Sequence, residues 1–204
     1  MLSVIQNRRS IRAFLDKPVS RELVEKILLA GSLAPSSKNR QPWRFIVTAG
    51  TEKEKLLAAM DRGLERERRS PLLPGSGDHL SGAENTRRIM AQAPVVILVM
   101  NPLGLPLDRD LTPEERVYEI CNAQSLGAAM ENISLAAESL GLGSLWICDT
   151  YFAYRELMDW AGGTGELFAA LALGYPGEAP PPRPRKPLGE IVEWRNGSKA
   201  GVFR

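Results

Sequence analysis

The sequence has 204 residues, 44% hydrophobic and 25% charged, an ordinary balance for a chain that can bury a core, and one domain over residues 1–204 is expected. Its 26 Lys and Arg against 24 Asp and Glu leave a formal charge of +2, too weak for the field of a dedicated nucleic-acid or anionic-membrane binder, so neither partner is expected. Cys121 and Cys148 form neither a disulfide framework nor a CxxC pair, Met1–Arg9 lacks the apolar run of a signal peptide, and no stretch approaches the roughly 20 apolar residues of a membrane span; the expectation is a cytoplasmic protein. The single histidine, His79, reads as an exposed loop residue, which leaves little for His-based triads or metal sites: no metal is expected, and an enzyme here would import its reactivity as an organic cofactor.

Ser20 can cap a first helix running to about Gly31, with Leu23, Val24, Ile27 and Leu28 as its apolar stripe and Pro35 beyond its end. Trp43–Thr48 alternates and is rich in aromatic and β-branched residues, the pattern of a strand closed by Gly50. Thr51–Glu54 has the form of a capping box opening a second helix. Residues 69–84, with their prolines and glycines, read as a long mobile loop. Pro94–Met100 is a short apolar run suited to a fully buried strand. Thr112–Glu115 joins a capping box to Pro at the first helical position and starts a long Ala-rich helix to Leu140, stopped by Gly141. Ser144–Cys148 and Phe168–Leu173 supply two more buried strands, and Pro180–Pro187 begins an extended tail not expected to pack as a helix. Alternating helices and buried strands indicate a layered α+β domain.

Arg8, Arg9, Ser10 and Arg12 place three guanidiniums and a hydroxyl within five residues, and Arg183, Arg185 and Lys186 form a second cluster on the proline-stiffened tail. A guanidinium fork matches phosphate oxygens, although either cluster alone also reads as a solvated basic patch. The loop Ala34–Trp43 carries hydroxyls and amides that can read a mixed donor/acceptor edge such as a flavin pyrimidine, or satisfy turn backbone. Gly141-x-Gly143 follows a helix and precedes a strand, the reverse of a dinucleotide fingerprint, and reads as a helix stop.

The segments Arg8–Phe14, Ala34–Trp43, Gly141–Ile147 and Arg185–Leu188, in that order and at that spacing, resemble the FMN-dependent nitroreductase family over nearly the whole chain. The resemblance implies a central mixed β-sheet flanked by helices, a homodimer formed through the long helix with a swapped C-terminal tail, and FMN at the interface. Arg8, Arg9, Ser10 and Arg12 match the segment that holds the phosphate and one flavin edge, with Arg183 and Arg185 completing the clamp. Pro35, Ser36 and Asn39, with Ser37 and Gln41 beside them, match a loop that reaches the flavin of the other protomer. Asn85 and Arg88 match an amide and a cation near the flavin pyrimidine, where a cation would stabilise the charge of the reduced ring. Trp146, Ile147, Cys148 and Asp149 match the segment beside the flavin, although many relatives have Gly or Glu at the last two positions. The implied activity is ping-pong hydride transfer from NAD(P)H through flavin N5 to a small nitro- or quinone-type acceptor, with no protein acid or base required. Alkene reduction, flavin reduction and non-catalytic flavin binding are alternatives on the same scaffold.

Overall fold

The computed structural model describes residues 2–72 and 75–195. Leu73 and Pro74, inside the expected 69–84 loop, and the polar terminus from 196 lie outside the described residues.

A short helix α1 (Ser3–Asn7) precedes α2 (Arg21–Ser32), whose N-terminus is capped by the Ser20 hydroxyl accepting from the Leu23 N–H at 3.3 Å. Strand β1 (Arg44–Thr48) runs into α3 (Gly50–Arg69). The Thr51–Glu54 capping box does not form: Gly50, at φ +53°, turns the chain straight from strand to helix, so Thr51 is already inside the first turn. The expected 69–84 loop is also shorter than its composition suggests, because Ser76–His79 makes a 3-10 turn that continues into α4 (Leu80–Gln92), with Ala83, Thr86, Ile89 and Met90 buried at helical spacing.

Strand β2 (Val95–Asn101), buried along its whole length, is followed by α5 (Pro113–Ser139). The Thr112 capping box forms as expected: the Glu115 N–H donates to Thr112 Oγ1 at 3.3 Å, and the Thr112 N–H to Glu115 Oε2 at 2.9 Å. Gly141 adopts φ +74° at the helix stop. Then come β3 (Gly143–Ile147), a 3-10 segment at Asp149–Ala153, α6 (Tyr154–Trp160), β4 (Glu166–Gly174) and α7 (Leu188–Ile191). That last turn corrects the expectation of a tail without helix: beyond the Pro-rich stretch Leu188–Ile191 has no proline, and the Val192 N–H closes the turn on the Leu188 carbonyl at 2.9 Å.

The strands lie in the order β1-β2-β4-β3 and every strand pair is antiparallel. Among the described residues, the parallel pairing is an isolated bridge beside the sheet, between Ser10 and Ser144. Period-two alternation in β2 divides the core: Val96, Leu98 and Met100 pack against α3, α4 and α6, while Val95, Ile97 and Val99 pack with Val24 and Ile27 of α2 and Leu126, Met130 and Ile133 of α5.

Candidate functional site

The two arginine clusters, more than 160 residues apart in sequence, are brought together by backbone pairing. The Ile11 N–H donates to the Ser144 carbonyl at 3.0 Å, the Leu15 N–H to the Tyr175 carbonyl at 2.9 Å and the Gly177 N–H to the Ala13 carbonyl at 2.8 Å. Ile11 fits because Gly143 has no side chain: a Cβ there would lie 2.6 Å from Ile11 Cγ1. Glu178 then accepts from the N–H groups of both Arg12 and Ala13. The chain leaving β4 is thus laid alongside residues 12–14, and the tail beyond it faces the first cluster.

The result is a groove of about 750 Å³ whose lining includes Arg8, Arg9, Ser10, Arg12, Arg183 and Arg185, with Pro180, Pro181, Pro182 and Pro184 stiffening its far wall. Arg8 pairs with Glu131 at 3.4 Å; Arg9 and Arg12 donate to the carbonyls of Gln6 and Ser10 at 2.6 and 3.2 Å. Among the described residues no side chain lining the groove is acidic, so it carries a surplus of positive charge and of guanidinium donors, a fit for a phosphate.

Pro35, Ser36, Ser37, Asn39 and Gln41 do not line this groove in their own chain. Their loop is nonetheless rigidly built. The Ser36 hydroxyl accepts from the Gln41 N–H at 3.0 Å, Gln41 Nε2 donates to Asn39 Oδ1 at 3.3 Å, and the Ser37 N–H donates to Ser125 Oγ of α5 at 3.3 Å. Lys38, Asn39 and Gln41 adopt φ of 53°, 52° and 50°, a left-handed backbone that costs energy for residues with a Cβ and that here presents exposed polar side chains.

At the end of β3, Trp146 and Cys148 are exposed, whereas Ile147 is buried in the core, so of Ile147 only the backbone can meet a ligand. Although Cys148 is exposed as a residue, partial desolvation of its thiol, followed by the neighbouring Asp149, raises its pKa above the ordinary value. Asp149 accepts from the hydroxyl of Thr86 on α4, a partner not evident from the sequence. Asn85, exposed beside it, accepts from Arg88 Nη2 at 3.2 Å. Arg88 lies in a separate charged groove with Asp61, Glu65 and Arg68, not in the arginine groove, and Arg87 is committed to a bidentate pair with Asp61 at 2.7 and 2.6 Å.

A second groove, about 620 Å³, is lined by Gly75, Ser76, Asp78, His79, Ser81, Gly82, Asp149 and Phe152. His79 is thus a groove residue, which its glycine-rich surroundings concealed. Among the described residues no helix is long and apolar enough to cross a membrane.

A model of the nitroreductase family matches residues 5–175. A protein of Archaeoglobus fulgidus, provisionally named NADH dehydrogenase/NAD(P)H nitroreductase, is 34% identical over 86% of this chain and 84% of its own length. A BluB-like flavoprotein from Clostridium difficile superposes with a TM-score of 0.78 at 28% identity, covering 95% of this chain and 97% of that one. A provisionally named nitroreductase from Desulfovibrio desulfuricans, in complex with FMN, gives 0.69 at 29% identity, covering 95% of each chain.

Proposed function

The chain belongs to the nitroreductase family, and from that premise we propose that it is an FMN-dependent NAD(P)H oxidoreductase that reduces small nitro- or quinone-type acceptors in a ping-pong sequence. The observation that carries the reading is the groove in which Arg8, Arg9, Arg12, Arg183 and Arg185 converge from two ends of the chain. A terminal phosphate suits that surplus of guanidinium donors. Arg8, Arg9, Ser10, Arg12, Arg183 and Arg185 hold the FMN phosphate and one flavin edge; Asn85 and Arg88 serve the pyrimidine side, and Trp146–Asp149 run beside the ring. The loop with Pro35, Ser36, Ser37, Asn39 and Gln41 completes the site of a second protomer in a homodimer with a swapped tail, each protomer being one domain.

Bound FMN supplies a ring that accepts hydride and passes electrons on, chemistry that no side chain of this protein provides. The protein holds and orients, and solvent supplies protons. The groove lined by Asp149 admits the acceptor: Thr86 fixes the Asp149 carboxylate, and residues of the segment Gly75–Gly82 form another part of its wall. Donor and acceptor use the site in turn, and the protein works in the cytoplasm.

The visible spectrum of the purified protein tests this. Flavin bands, with FMN released on denaturation, are expected; a colourless protein that fails to take up FMN overturns the reading. Likeness to a BluB-like flavoprotein, and 27% identity over 94% of the chain to an iodotyrosine deiodinase of Thermotoga neapolitana, favour a second reading, other flavin chemistry on the same scaffold. Acceptor profiling separates the two.

A further inference from the structure

Outside the arginine groove, α3 buries an acidic side chain: that of Glu67 is only 1% exposed. A buried ion costs several kcal/mol of desolvation unless hydrogen bonds replace its water. Glu67 finds replacements in the segment that follows its own helix, accepting from the Leu72 N–H at 3.0 Å and from the Ser76 hydroxyl at 2.7 Å. It also pairs with the guanidinium of Arg66 at 2.6 Å. That guanidinium reaches the other way. It donates to Glu156 of α6 at 2.8 and 3.3 Å and to the Phe152 carbonyl at 3.2 Å.

Ser76 and Phe152 both line the groove that Asp149 also lines. The Phe152 wall is fixed by close packing as well, since a Cβ on Gly63 would lie 2.2 Å from Ala153 Cβ. On the Ser76 side, the Glu67 carboxylate ties the start of the 3-10 turn to α3. An apolar residue at position 67 would pack α3 as well; the donors that Glu67 gathers explain a carboxylate at this depth.

We propose that Arg66 and Glu67 form a latch joining the two walls of the acceptor groove, and that Glu67 is a positioning residue that sets acceptor binding by holding Ser76. This rests on the reading of that groove as the acceptor site.

The test uses the FMN-loaded protein and compares Glu67→Gln, Ser76→Ala and Ser81→Tyr, the last filling the groove without touching the latch. For Glu67→Gln the expected result is an acceptor KM raised about tenfold, the loss of one charge-assisted hydrogen bond, with kcat and FMN affinity near wild type. Ser76→Ala, a milder change if Glu67→Gln fails to fold, should move KM in the same direction. Independently of turnover, the Leu72 amide should exchange its hydrogen faster in Glu67→Gln. If Ser81→Tyr raises the acceptor KM while neither latch variant does, the latch is overturned and the groove assignment stands. If none of the three moves it, the groove is not the acceptor site, and the latch falls with it.

Discussion

The carboxylate of Glu178 accepts hydrogen bonds from the backbone N–H groups of Arg12 and Ala13, so one side chain just past β4 holds the N-terminal arginine segment against the start of the tail. Glu178 touches neither arginine cluster through its charge on a guanidinium; it acts by register. Glu178→Ala should lower stability by about 1–3 kcal/mol, the cost of two unmade bonds to a charged acceptor, and weaken FMN at least about fivefold by letting the tail swing from the groove. Melting and FMN titration check both. An intact FMN affinity would show that the clamp does not depend on this contact.

Arg185 tests the clamp directly. It lies between Pro184 and Pro187, whose fixed φ limits the freedom lost when a ligand is gripped. Arg185→Ala should weaken FMN about 10- to 150-fold, the equivalent of roughly 1.5–3 kcal/mol, with the fold intact and turnover at saturating FMN nearly unchanged. Unchanged affinity, or lost turnover at full flavin occupancy, would place Arg185 outside the clamp.

Large apolar side chains stand exposed where the homodimer is proposed: Leu29 and Leu33 at the end of α2, Val117 and Ile120 on the first half of α5, and Leu188 and Ile191 on α7. Leu33 is 76% and Leu188 72% exposed in the single chain, more than isolated surface leucines require. Sedimentation at micromolar concentration should show a dimer, and Leu33→Glu should shift it toward monomer with loss of flavin. A flavin-loaded wild-type monomer would contradict the shared site.

Much of the fold was legible because local signals and tertiary packing agree in it. Ser20 and Thr112 cap the helices they were expected to cap, and β2 is buried throughout, as its unbroken apolar run implies. The start of α4 was hidden because Gly75, Gly77 and Gly82 outweigh a short apolar stripe in any local reading, while the contact that ends the loop, Glu67 to Ser76, is a side-chain bond across nine residues. The arginines could be picked out by residue type, but their convergence depends on pairing between residues 11–15 and both Ser144 and Tyr175, which no local pattern encodes.

Glu166 gives the protein a pH dependence away from the proposed flavin site. Its pKa is raised above 4.5, first by burial and then by the carboxylates of Glu119 and Asp108, and its Oε2 is buried without a hydrogen-bond partner. A carboxyl that holds its proton more tightly when folded contributes stability that is present below the unfolded value near 4.5 and is lost as pH rises through the folded value. Glu166→Gln should therefore raise Tm at pH 7–8 and change it less at pH 4–5. An equal effect at both pH values would mean that the carboxyl is not strained by ionisation.

The groove assigned to the acceptor is acidic: Asp78 and Asp149 line it, and among the described residues His79 is its one basic side chain. Asp149 is held there by Thr86, whose hydroxyl donates to its carboxylate. A carboxylated nitroarene entering this groove meets two like charges, whereas a neutral one of the same size does not. Because Asp78 is exposed, its share is modest and screened by salt. The expected kcat/KM for a nitrobenzoate is about three- to tenfold below that for a neutral nitroarene of matched size and reactivity, a gap of roughly 0.6–1.4 kcal/mol. Asp78→Asn should narrow the gap without altering FMN content, and raising the salt concentration should narrow it further in the wild type. If the two acceptors react equally well at low salt, or if Asp78→Asn leaves their ratio unchanged, the acceptor does not bind against this wall.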